Sequence, residues 1–373
     1  MKAFLEPLQE LQGFQEMADT LEKERGVITV SGCTDAQKPH MIYAMDNGLK
    51  NKIIVTFHEQ RAKELYEDYS FFDPDAVYYP AKDVLFYQSD IRGNLLTAER
   101  VNALKAIHEK KQVTLITTFD ALMNTMAPPQ NMWDSVLTIH SGDILDLKKI
   151  TAQLVRMGYE KEYQVETMGQ FALRGGILDI FPLTEENPVR IEMWGDEVDT
   201  LRSFDTESQR SIELMEELTV YPACELVLTE EQKNAGIDKI RKEAKKAADQ
   251  LRKDMKTEEA YRTTSMVDEL AEEWGELSMC TGMDAFLSYF CGERNGLLDY
   301  FDKNDTIVFF DEMSRSVERG RQTETEFSES MKQRLEKGYI LPGQMKELFG
   351  IKEILGTLER YPCLALNALD MKT

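Results

Sequence analysis

GQFALRGGILDIFPLTEENPVRIEMWGDEVDTLRSFD, residues 169–205, decides the fold of this chain. The stretch predicts three short strands joined by turns. Arg174-Gly175-Gly176 marks the first tight connection, because adjacent glycines reach positive φ at little steric cost. Residues 177–181 form a strand that Pro182 ends. Residues 189–194 form a second, and Gly195-Asp196 turns the chain into a third. Side chains alternate along a strand, so Val189, Ile191 and Met193 share an apolar, core-facing side. Arg190, Glu192 and Trp194 share the other. A tryptophan beside an arginine on the polar face of a small sheet has two readings. One is partner contact, since Trp and Arg are enriched at binding hot spots, with Arg174 nearby at the preceding turn. The other is structural: Trp194 caps a minor core and the arginines pair with local carboxylates such as Glu192.

Working outward, short β-branched runs lie before this stretch at residues 27–31, 52–57, 76–79 and 113–117, with helical patterns at 60–69 and 97–109 between them. Strands alternating with helices imply a parallel sheet with crossover helices. Leu5, Leu8, Leu11, Phe14, Met17 and Leu21 recur at helical spacing and predict one amphipathic helix that Gly26 ends. Pro128-Pro129 predicts a hinge. A helix over 148–157 precedes the opening stretch, and a strand over 218–221 follows it. Beyond Pro222, residues 229–255 predict a long charged helix whose alternating charges read as a solvated face. Further helices are expected at 266–274 and 282–291, then an apolar strand at 306–310 and a last strand at 364–366.

Composition narrows the function. The 373 residues carry 44 basic and 67 acidic side chains, a net charge of −23. Gripping phosphate backbones as a main task needs the opposite balance, although local basic patches are compatible with it. Cys33, Cys224, Cys280, Cys291 and Cys363 are odd in number and lack CxxC spacing, which points to a reducing compartment with neither a disulfide framework nor a zinc site. The four histidines are scattered. No cofactor, metal or membrane span is expected, and the expected address is the cytoplasm.

Two motifs bear on nucleotide chemistry. After the first strand, Gly32-Cys33-Thr34-Asp35-Ala36-Gln37-Lys38-Pro39 holds Gly32 and Lys38 in register with a phosphate loop of the form G-x-x-x-x-G-K-[ST]. Gln37 stands where the second glycine belongs, and Pro39 replaces the hydroxyl that would meet Mg²⁺. Asp35 adds negative charge where phosphate would sit. The loop reads as a relic. The strand 306–310 ends in Asp311-Glu312, the form of a Walker B motif, and these two read as a strand-end pair bonded to nearby backbone. Tyr78, Tyr79, Phe86 and Tyr87 form an aromatic cluster with few cations, Lys82 and Arg92, and are expected to pack between helices.

The opening stretch resembles the second domain of the module shared by UvrB and the transcription-repair coupling factors. That family's pattern is carried by Gly169, Phe171, Arg174, Gly175, Gly176, Asp179, Phe181, Pro182, Arg190, Ile191, Glu192, Trp194, Gly195, Asp196, Glu197, Phe204 and Asp205. The decayed phosphate loop makes the chain more similar to the coupling factors. The resemblance implies an α/β fold: a RecA-like, P-loop-type parallel sheet formed by two segments, 1–127 and 222–373, with a small α+β domain inserted at 128–221. It implies a UvrA contact at Arg174, Arg190 and Trp194 and a vestigial nucleotide site at Gly32, Lys38, Asp311 and Glu312. In the longer family members it also implies RNA polymerase and DNA as partners. The end at Met371-Lys372-Thr373 reads as a cut from such a protein, and a fragment of this kind is expected to bind UvrA without an activating step. Three functions compete: a non-catalytic module recruiting UvrA to stalled transcription, a UvrB-like ATP-dependent repair helicase fragment, and an architectural clamp for a translocase.

Overall fold

In the computed structural model, which describes residues 2–11, 13–23, 26–45, 48–82, 93–276 and 282–368, the apolar runs become strands of one parallel sheet. Four of its strands come before the insert: β1 (Gly26–Ser31), β2 (Asn51–Thr56), β3 (Val77–Tyr79) and β4 (Thr114–Thr118). The chain then forms β5 (Leu137–His140), β6 (Glu160–Lys161), β7 (Gln170–Arg174), β8 (Ile177–Ile180), β9 (Val189–Trp194), β10 (Glu197–Phe204), β11 (Ser211–Met215) and β12 (Glu217–Val220). Much later come β13 (Thr306–Asp311) and β14 (Pro362–Asn367).

The parallel sheet runs β1-β14-β13-β2-β4-β3. The two late strands slot between β1 and β2, so segments on either side of the insert build one sheet. Every residue of β4, β13 and β14 is buried, whereas β1 alternates half-buried and exposed. Strands covered on both faces need continuous apolar runs, and an edge strand does not. One face packs Ile54, Ile116, Phe309 and Leu364 against Leu65 and Tyr69 of helix Glu59–Ser70 and Leu8, Phe14 and Leu21 of the amino-terminal helices. The other packs Ile53, Val55, Val308 and Phe310 against Val101 and Leu104 of helix Gly93–Glu109 and Phe327 and Met331 of helix Met313–Glu336.

The second sheet runs β11-β10-β9-β8-β7-β6 and is antiparallel except for the short β6–β7 pair. Helix Leu147–Arg156, capped by the Asp146 carboxylate, buries Ile150 and Leu154 against Leu178, Ile180, Val189, Ile191 and Leu201. The opening stretch therefore makes four strands, not three. The extra one, β7, was hidden because Phe171, Ala172 and Leu173 do not alternate in polarity: Phe171 faces the main core and Ala172 a small one with Val165 and Phe181. At the base of the insert β5 and β12 pair antiparallel, with Leu137 opposite Val220.

Three other expectations change. The amino-terminal pattern is two helices, Lys2–Gln9 and Phe14–Lys23, broken where Gly13 takes φ +87°. Pro129 is no free hinge but opens helix Pro129–Trp133, a position where its missing N–H costs nothing. After Pro222 the chain does not return directly to the sheet. Helix Glu230–Lys253, started by a Thr229–Gln232 capping box, packs against helix Thr257–Glu276. Ile237, Ile240, Ala244, Val267, Ala271, Trp274, Phe286 and Phe290 form their shared core. Gly236 is required there, since a Cβ would lie 2.1 Å from the Phe290 ring.

A buried strut ties these parts together. Arg100 donates from Nε and Nη2 to both oxygens of Glu225 at 2.7 Å and from Nη1 to the Pro80 carbonyl at 2.6 Å. Lys82 joins the same carboxylate to Asp284 of the helical lobe. Burial alone would raise the Glu225 carboxyl, but the charges of Arg100 and Lys82 hold it down at about 2.

Candidate partner-docking site

The nucleotide-type loop follows β1. Gly32 leaves β1 at φ +85° and helix Gln37–Ala44 begins five residues on. The Gln37 side chain accepts from the Thr34 N–H at 2.9 Å, folding the loop onto itself. Lys38 is wholly buried, and its Nζ donates to Asp311 at 2.6 Å, Glu312 at 2.8 Å and Asp35 at 3.2 Å. Asp311 also accepts from Thr56 Oγ1 at 2.9 Å and Arg61 Nε at 2.8 Å. Asp35 lies 3.3 Å from Arg61 as well, so a carboxylate of the chain itself sits among the cations. Burial would raise the Asp311 carboxyl, yet the bonds from Arg61 and Lys38 hold it below its ordinary value. Burial would lower the Lys38 ammonium, yet its carboxylate partners raise it.

The structure thus brings Lys38, Asp311 and Glu312 together, with Gly32 at the start of the same loop, but alters one reading. Asp311 and Glu312 are not chiefly bonded to backbone: Glu312 does accept from the Ala368 N–H at 2.7 Å, but both carboxylates close on Lys38. Thr56 and Arg61, the other members of the cluster, lie some 250 residues from Asp311 in sequence and carry no local motif.

The second constellation lies on the face of the inserted sheet turned away from helix Leu147–Arg156. The register aligns Asp179 with Arg190, Arg190 with Arg202, and Arg202 with Leu214 across β8 to β11. Asp179 is buried at 1% exposure and is the hub. Arg190 donates to it from Nε at 2.7 Å and Nη2 at 2.9 Å, and Arg174 reaches it across the β7–β8 turn at 2.8 Å. Arg190 also donates to Gln209 at 2.9 Å, and its guanidinium lies 4.4 Å from the Phe204 ring centre. These bonds, the Asp179 pair foremost, raise the Arg190 pKa above its ordinary value. Arg174 stays 34% exposed and Arg190 17%.

Trp194 is 82% exposed at the end of β9. It therefore caps no core, and among the described residues no ring or guanidinium stacks on it. The arginines do pair with a carboxylate, but it is Asp179. Glu192 instead accepts from Arg202 at 2.6 Å. Alternation along β9 puts Arg190 and Trp194 on one face, as the strand Val189–Trp194 does. It could not find Asp179, whose partnership depends on cross-strand register. Of the aromatic cluster, Tyr79 is buried beneath the Arg100 guanidinium at 4.2 Å and Tyr78 bonds to Glu59. Phe86, Tyr87 and Arg92 lie outside the described residues, as does Cys280. Among the described residues no cluster of His, Cys, Asp and Glu could hold a metal ion, and no helix is long and apolar enough to cross a membrane.

The inserted α+β domain belongs to a described family: residues 137–226 match the UvrB interaction domain. Beyond that domain, the whole chain is similar to transcription-repair coupling factors and UvrB proteins. It is 29% identical over 338 residues to the transcription-repair-coupling factor of Bacillus subtilis, covering 90% of this chain and 28% of the relative. Against that of Staphylococcus haemolyticus it is 30% identical over 344 residues, 89% and 28%. Against UvrABC system protein B of Fervidobacterium nodosum it is 28% identical over 356 residues, 89% and 53%. The chain thus spans about a quarter of the coupling factors and about half of that UvrB protein.

Proposed function

We propose that this chain is a non-catalytic docking module that recruits UvrA for nucleotide excision repair at stalled transcription, through Arg174, Arg190 and Trp194. The observation that carries this reading is the open Trp194 on the same sheet face as two arginines already oriented by a buried aspartate. Side chains fixed before contact lose little freedom on binding, and a rigid aromatic beside guanidinium edges suits a partner surface that carries carboxylates.

The same reading takes the phosphate loop as vestigial. A phosphate would have to displace Asp35 and compete with Asp311 and Glu312 for a lysine already holding three oxygens. This favours the docking module over an ATP-dependent helicase. The cytoplasm follows as its address.

The test is a pull-down and calorimetric titration of the chain with purified UvrA, wild type beside Trp194→Ala. Binding by wild type that Trp194→Ala abolishes supports the proposal. No binding by wild type overturns it and leaves the architectural role. Titration with Mg-ATP giving micromolar affinity would overturn the vestigial loop.

A further inference from the structure

The row of cross-strand partners that carries Arg190 does not stop at the arginines. Asp179, Arg190, Arg202 and Leu214 stand opposite one another on β8, β9, β10 and β11, so their side chains leave the same face of the inserted sheet. Burial gives way to exposure along that row. Asp179 is sealed, Arg190 and Arg202 are half-buried, and Leu214 is 76% exposed. β11 is the edge of its sheet, and among the described residues no strand pairs with its outer side. A leucine standing free on an edge strand is a liability that a covering surface removes. Its position is also fixed. In the β10–β11 turn the Asp205 carboxylate accepts from the Ser208 N–H at 2.8 Å and hydroxyl at 2.6 Å. Gln209 of the same turn, at φ +57°, accepts from Arg190 at 2.9 Å. The turn that delivers Leu214 is therefore bonded to the arginine that clamps Asp179.

We infer that Leu214 is a second apolar anchor of the docking face, and that the face fits a protein surface carrying carboxylates between two apolar sockets. The inference rests on the docking reading of Arg174, Arg190 and Trp194 and defines the partner's chemistry further. Strand geometry sets the spacing. Leu214 lies two strands from Arg190, and Trp194 lies four residues along β9 from it. At about 4.8 Å between strands and 3.3 Å per residue, the two anchors stand roughly 16 Å apart, with Arg190 and Arg202 between them. One exposed anchor lets a partner pivot, whereas two anchors and a charged row between them fix its orientation. The Nε of Arg202 is buried without a hydrogen-bond partner, and Glu192 holds the other end of its guanidinium. The charge of the row selects the occupant. A second copy of this chain laid symmetrically on the face would set arginines against arginines, whereas carboxylates pair with them.

The experiment is calorimetric titration of the full chain with purified UvrA across a potassium chloride series. Wild type is compared with Leu214→Ala, Leu214→Glu, Trp194→Ala and Arg174→Gln. Leu95→Glu, at an exposed leucine of helix Gly93–Glu109 on the parallel-sheet unit, is the control of equal charge change. Leu214→Ala should lose at least about fivefold in affinity with an unchanged melting temperature. Leu214→Glu should lose more, and Leu95→Glu should bind as wild type. The ratio of wild type to Leu214→Ala should hold constant as salt rises, while that for Arg174→Gln shrinks, because salt screens exposed charges and not apolar contacts. Wild-type affinity in both Leu214 variants, with loss in Trp194→Ala, would overturn the second anchor and leave the docking reading standing. Loss in the Leu214 variants with none in Trp194→Ala would do the reverse. A Leu214→Ala ratio that shrinks with salt, a lowered melting temperature, or an equal loss in Leu95→Glu would also overturn the assignment. So would sedimentation showing a dimer of the chain alone that Leu214→Glu dissolves. No binding by wild type would remove the docking reading and the second anchor together.

Discussion

Two clusters in this molecule are made of the same chemical parts and end in opposite conditions. At the end of the parallel sheet, Lys38 and Arg61 meet Asp35, Asp311 and Glu312. On the inserted sheet, Arg174 and Arg190 meet Asp179. In the first, carboxylates outnumber cations and the lysine is sealed from solvent. In the second, two cations share one carboxylate, and part of Arg174 and nearly all of Trp194 remain outside. Whether a cluster of ionic residues is a scaffold or a site turns on valence left over after internal pairing, not on the residue types present.

The largest test of that contrast is Lys38→Met. Removing the ammonium keeps most of the apolar stem but takes the cation from Glu312 and leaves Asp311 with Arg61 and Thr56 alone; breaking a buried pair costs about 3–5 kcal/mol. Urea unfolding should show the loss at neutral pH. The folded pKa of Asp311 lies below its unfolded value, near 3.9. Its stabilisation is therefore present above that value and is lost as pH falls through the folded one. The gap between wild type and Lys38→Met should narrow below about pH 4. A gap constant with pH would mean that lost packing, not charge, is responsible.

Arg190→Ala comes next and should act twice. It leaves buried Asp179 with Arg174 alone, so unfolding free energy should fall by about 2 kcal/mol or more, together with a loss of UvrA affinity. A variant that loses binding at unchanged stability would show that the clamp on Asp179 contributes little. Trp194→Ala separates the two effects. Its exposure predicts a stability change within about 0.5 kcal/mol, while a hot spot costs at least about 2 kcal/mol of affinity, readable as a roughly thirtyfold rise in Kd. A lower melting temperature with intact binding would reverse its role. The smallest effect is expected at Glu192→Ala. Its pair with Arg202 is about one-third exposed on both sides, so the stability change should stay below about 1 kcal/mol. Any gain in UvrA affinity would indicate that Arg202, once released, joins the surface.

Much of this was legible before the structure. β13 and β4 announced themselves as apolar runs because both their faces are covered, and β9 because one of its faces is not. Arg190 and Trp194 followed from simple alternation. What stayed hidden shares a cause. Asp179, Arg61 and Thr56 acquire their partners through strand register or across some 250 residues, and no local pattern records such pairings. The helical lobe was read as scattered helices because its core is assembled from three separate segments.

The pairing of Leu137 with Val220 at the base of the insert has a consequence for portability. Adjacent antiparallel strands hold their paired Cα atoms about 5 Å apart, so the inserted domain leaves and rejoins its host through a gap that a tight hairpin could bridge. Its sheet and single helix enclose their own core. Residues 137–220 are therefore expected to behave as a cassette: excised and closed with a short turn, or spliced into a surface loop of an unrelated protein, they should carry the Trp194 face along, and a cooperative melting transition of the excised segment checks it.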